Sequence, residues 1–181
     1  MRFPVPALVS LLLSAGCVDF GDQDAHVPGD ELGQYHVAAS LEASDCGQDA
    51  LSAPEHWEFD IRLSRDANDL FWLNGAEVIP GQIAADGASF EFLTQVAVEI
   101  DPSEGNHPGC TVLREDHATG RLVGSGNEIT GFSGTLTYGY VAESDSDCTA
   151  IVGAPGGVAA LPCEMSFSMQ AARTAAADSE G

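Results

Sequence analysis

The chain contains no lysine. Its basic side chains are 6 arginines, set against 28 Asp and Glu in 181 residues, for a formal net charge of −22. Without lysine there is no Schiff-base nucleophile and no ammonium to hold a phosphate. Without a basic face there is nothing to displace counterions from nucleic acid or to dock on an anionic bilayer, and nucleic acid is excluded as a partner. Long apolar runs are also missing. The most extended one, Val5 to Leu13, falls short of the roughly 20 residues of a membrane-spanning helix. The motifs of phosphate loops, dinucleotide folds and His-Glu-x-x-His zinc enzymes are absent, and no Cys pair has zinc-ligand spacing. Gly131-Phe132-Ser133-Gly134-Thr135 falls short of a nucleophile elbow at its last position. No catalytic residue, cofactor or metal is therefore assigned.

What is present is a core for one domain. Hydrophobic residues make up 44% of the chain, too many for wholesale disorder despite the charge. Their period is two. Trp57, Phe59, Ile61 and Leu63 alternate with His56, Glu58, Asp60 and Arg62, the signature of a half-buried antiparallel strand. The same alternation places Tyr35, Val37, Ala39 and Leu41 on one face, and Cys163, Met165, Phe167, Met169 and Ala171 on another. A long strand carries Phe90, Phe92, Thr94, Val96, Val98 and Ile100 on one side. A later one carries Phe132, Leu136, Tyr138 and Tyr140, with Gly134 read as a bulge or bend. Asp66 to Asp69, Asn74-Gly75 and Asp86-Gly87 mark turns. Val78 to Ala84 reads as an edge strand interrupted by Pro80. Cys110 to Arg114 and Arg121 to Gly124 read as two arms around a turn at His117-Ala118-Thr119-Gly120. No amphipathic helix stands out. The expected fold class is all-β, an antiparallel meander of about 8–9 strands closed into an up-and-down barrel, with a two-sheet sandwich as the alternative. The architecture resembles that of lipocalins, although no lipocalin motif is present.

The N-terminus holds a different signal. Arg2 is followed by the apolar stretch and then by Leu13-Ser14-Ala15-Gly16-Cys17, as in a secretory leader. This ending resembles the lipobox of bacterial lipoproteins, with Ser14 where that family most often has Leu. The resemblance implies a diacylglyceryl group on the Cys17 thiol and cleavage just before it by a type II signal peptidase. Two or more acyl chains would hold the protein stably on a membrane, where one binds marginally. The expected organisation is a leader at 1–16, an acidic tether at 17–32, one β-domain at 33–173 and a tail at 174–181. The aspartates of the tether lack the spacing of a calcium-binding EF-hand loop. The expected location is the bacterial cell envelope, on the extracytoplasmic side of a membrane, inner or outer left open.

With Cys17 given to lipid, the odd count of five cysteines becomes even. Cys46, Cys110, Cys148 and Cys163 then suffice for two disulfides, which export permits. Three pairings are possible. Proximity along the chain favours Cys148–Cys163 across a Gly/Pro-rich loop, leaving Cys46–Cys110.

The remaining candidates for chemistry are sparse. His107 and His117, the latter next to Glu115 and Asp116, read as exposed turn residues rather than a metal site or acid–base pair. Glu58 with Asp60, and Asp145 with Asp147, are carboxylate pairs of little specificity in so acidic a chain. Trp57, Phe59, Phe71, Trp72, Phe90, Phe92, Phe132, Tyr138 and Tyr140 read as a packed core before a ligand cavity. The expected function is a non-enzymatic structural or interaction role at the envelope, its membrane partner reached through the lipid on Cys17. A carrier of a small apolar ligand in the barrel interior is the alternative, and a surface-exposed hydrolase the third reading.

Overall fold

The computed structural model describes residues 28–47, 50–75, 77–102, 108–126 and 128–175. Cys17, most of the tether, His107 and the residues after Ala175 lie outside them. The strands are β1 (Asp30–Ser44), β2 (His56–Asp66), β3 (Asp69–Asn74), β4 (Glu77–Ile83), β5 (Ser89–Asp101), β6 (Cys110–Ser125), β7 (Glu128–Ala142) and β8 (Cys163–Ala175). They form a closed up-and-down barrel in which each strand is antiparallel to its neighbours and β8 returns to β1. The barrel expectation holds, and pairing of β8 with β1 removes the sheet's outer edges at that seam.

The alternating residues pack as their period requires. Tyr35, Val37, Ile61, Leu63, Phe90, Phe92, Phe132, Met165, Phe167 and Met169 are all buried in one core. The polar alternates face solvent, Glu58, Asp60, Glu91 and Glu99 among them. One end of the barrel is plugged. There Leu32, Tyr35, Ile129 and Phe132 are buried, and the Tyr35 hydroxyl reaches the carbonyls of Leu32 at 3.2 Å and Ile129 at 3.1 Å. Arg173 donates to the same Leu32 carbonyl. Both ends of the strand run, Asp30 and Ala175, lie at this plugged end. β1 starts at Asp30, which pairs with Arg65, and Leu32 joins the core. Likewise β8 continues through 174 and 175.

Three further expectations are corrected. Cys110 to Gly124 is not two arms around a turn at His117-Ala118-Thr119-Gly120. β6 runs unbroken through it, pairing with β5 and β7 on both sides. Gly120 is there for space rather than for a turn: a Cβ on it would lie 2.5 Å from the Phe90 ring and 2.5 Å from the Ser133 carbonyl oxygen. Gly134 is not a bulge; it pairs in register with Gly120, and the β6–β7 irregularity sits at Gly124.

The disulfides are Cys46–Cys163 and Cys110–Cys148, not Cys148–Cys163 with Cys46–Cys110. All four cysteines are used as expected, but partner choice follows strand neighbours. Ser44 of β1 pairs with Met165 of β8, which brings Cys46 to Cys163. Asp147 in the β7–β8 connection bonds back to Gly109, which brings Cys148 to Cys110.

Candidate functional site at the barrel mouth

Toward the other end of the barrel, strands β2 to β7 line a recess of about 140 Å³. Its floor is aromatic. Trp72 packs edge-on against Phe92 with ring centroids 5.5 Å apart, and stacks near Phe59 at 6.1 Å. Trp57 stacks on Phe59 at 4.5 Å. The far wall is polar. Arg114 from β6 binds Asp116 two residues on through Nε (2.6 Å) and Nη2 (2.7 Å), and its guanidinium lies 5.0 Å from the centre of the Tyr138 ring. Arg114 and Asp116 share the inward face of β6 because the strand has period two. The hydrogen bond to Asp116 pushes the Arg114 pKa up, and burial, assisted by the Asp116 charge, pushes that of the Tyr138 phenol up. Arg114 thus stays a cation and Tyr138 a neutral donor. Trp57, which lines the recess, has its indole Nε1 buried without an acceptor among the described residues.

The recess is smaller than the 300–1,000 Å³ usual for a small-molecule site. It accepts a group the size of one side chain. Below it the interior is filled by Trp72, Phe90, Phe132 and their neighbours, with Phe90 and Phe132 edge to face at 5.5 Å. Sequence alternation identified the aromatic floor. The Arg114–Asp116 wall depends on β6 running straight through His117 to Gly120, where the sequence reads as a turn.

The other candidate residues are dispersed on outer faces. His117 pairs with Glu91 across β5–β6 at 2.7 Å. His36 lies 2.8 Å from Asp60 and 3.5 Å from Glu58, and the bond to Asp60 raises its pKa above the ordinary 6.5. Ser40 Oγ and His56 Nδ1 approach to 3.0 Å, a contact that pairs a hydroxyl with an imidazole. Ser40 is paired on both sides, whereas His56 opens β2 at the end of its ladder with β1 and has no β3 partner among the described residues. Asp45, Cys46 and Cys163 lie within metal-ligating distance, but both sulfurs are consumed by their disulfide. Asp145 and Asp147 fall in the β7–β8 connection, where Asp147 accepts from Thr149.

The mouth is bordered by a break in the ladder. β4 and β5 pair through only three positions, Gly81–Phe92, Gln82–Glu91 and Ile83–Phe90. The next β4 residue is Pro80. Even-numbered β4 residues address β5, since odd ones address β3: the Ile83 N–H donates to Asn68. Pro80 has no N–H to offer on that side, so the ladder stops there. The edge-strand expectation for Val78 to Ala84 is thus half realised, with β4 paired to β3 throughout and to β5 only below Pro80.

No known protein family, curated protein or solved structure matches this chain.

Proposed function

We propose that this chain is a lipid-anchored, extracytoplasmic protein with a non-enzymatic interaction role, and that the barrel mouth is its recognition surface. The observation that carries this reading is the contrast between a barrel filled by its own side chains and an aromatic and Arg-lined recess at one end. Orientation supports it. β1 begins at the plugged end, so a lipid on Cys17 would attach to the chain at the end opposite the mouth. The two disulfides support export. The carrier alternative keeps one supporting observation, the unpartnered Trp57 Nε1, but 140 Å³ restricts any cargo to a fragment rather than a whole lipid.

The anchor is tested by growing bacteria that express the full chain with labelled palmitate. Wild type is expected to incorporate label and to sediment with membranes. Cys17→Ser is expected to lose the label completely and to move to the soluble fraction. Continued labelling of Cys17→Ser would contradict the lipid assignment.

A further inference from the structure

Above Pro80, the barrel wall has a gap. β5 continues upward with no β4 partner from Leu93 on, and β2 from His56 to Ile61 has no β3 partner, because the β3–β4 hairpin ends at Asn74-Gly75. These statements concern the described residues. The parity of the hydrogen bonds says which groups are free. The Leu122 N–H donates to the Ala88 carbonyl, so even-numbered β5 residues address β6. The Ala84 N–H donates to the Ser89 carbonyl, so odd-numbered ones address β4. Gln95, Ala97 and Glu99 therefore direct their N–H and C=O groups into the gap, and all three are exposed. On the opposite border, the Leu41 N–H donates to Glu55, so odd β2 residues address β1, leaving the main-chain groups of Glu58 and Asp60 toward the gap.

We infer that this gap is a strand-addition site for an extended segment of a partner protein in which apolar and basic residues alternate. Unpaired strand edges recruit extended chains by main-chain hydrogen bonding, with pockets for alternate side chains supplying specificity. Here the pocket is the recess beside the gap, sized for one apolar side chain and lined by Trp57, Phe59 and Ile79 from the strands that border it. Side chains on the other face of the added strand meet acids. The Glu58 and Asp60 side chains are 70% and 77% exposed, and Glu99 is exposed as well, while Glu77 lines the recess itself. In a chain of net charge −22 without lysine, complementarity requires a basic partner. The inference rests on the interaction reading above and names the partner's chemistry.

The test uses the full chain, as the lipidated protein in detergent and as Cys17→Ser, with an end-blocked octapeptide of alternating valine and lysine as the probe. Binding is expected in both forms, with slowed exchange of the Gln95, Ala97 and Glu99 amides. The same peptide N-methylated at alternate residues keeps its charge and apolar side chains but cannot pair, and is expected to bind about tenfold more weakly or worse, as losing one or two hydrogen bonds implies. Ala97→Pro removes one edge donor and is expected to act similarly. Equal affinity for the methylated peptide, or exchange slowed elsewhere, would overturn the proposal in favour of charge attraction alone. Self-association that protects the same amides without peptide would overturn it in favour of a second copy. Absence of palmitate labelling in the wild-type chain, with peptide binding retained, would refute the anchor only.

Discussion

Replacing Cys46 and Cys163 together with alanine is expected to lower folding stability by about 5 kcal/mol. The Cys110 and Cys148 pair should cost about 4 kcal/mol by the same chain-entropy relation. The difference follows from the chain enclosed, sequence separations of 117 and 38 residues. The longer bridge also ties the β1 and β8 ends together at the seam that closes the barrel. For a single domain whose total stability is of order 5–15 kcal/mol, either loss is large. Urea unfolding of the two double variants, read by tryptophan fluorescence, gives the comparison. A larger loss from the Cys110/Cys148 variant would contradict the ranking, and non-reducing peptide mapping would identify any exchange of partners.

The second large effect concerns a glycine pair. Gly120 and Gly134 face one another across β6–β7. A Cβ on Gly134 would lie 2.1 Å from the Thr119 carbonyl oxygen and 2.8 Å from the Gly120 Cα. Both obstacles are backbone, so no rotamer change relieves them. Gly134→Ala should cost about 3 kcal/mol or more, as overpacking in a tight site does, and lower Tm by roughly 6–12 °C for a domain this size. Gly139 in the same strand is the control. Its added Cβ would find one neighbour, the Glu115 Cβ, at 4.0 Å. Gly139→Ala should be neutral, or stabilising by up to about 1 kcal/mol through the unfolded chain. Similar losses at both positions would show that strand propensity, not close approach, governs the pair.

These glycines also explain where reading from sequence succeeded and where it failed. The strand faces of β1, β2, β5, β7 and β8 were legible because burial on one side imposes a period of two that no other element shares. The all-β class and the closed barrel followed from their number and their turns. His117-Ala118-Thr119-Gly120 misled because glycine near polar residues has two physical uses, positive φ and absent side chain. Which one applies depends on Phe90 and Ser133, residues distant in sequence. The disulfide partners were misjudged for a related reason. Chain proximity favoured Cys148–Cys163, whereas the barrel's return of β8 to β1 put Cys46 beside Cys163. Of the candidate site, the aromatic floor was visible in Trp57, Phe59, Trp72 and Phe92. The Arg114–Asp116 wall depended on β6 being continuous. Pro80 was recognised as an interruption, but its consequence, a ladder that halts on one side only, required the hydrogen-bond parity of β4. The acidity changes meaning at the same place: mostly a solvated outer surface, it borders unpaired backbone at Glu58, Asp60 and Glu99.

Amide hydrogen exchange on the free protein tests the open edge most directly. A ladder that ends at Pro80 requires alternation along β5: Thr94, Val96 and Val98, bonded to β6, should exchange orders of magnitude more slowly than Gln95, Ala97 and Glu99. Uniform protection from Thr94 to Glu99 would contradict it, showing that the wall is closed and the mouth has no strand left to pair.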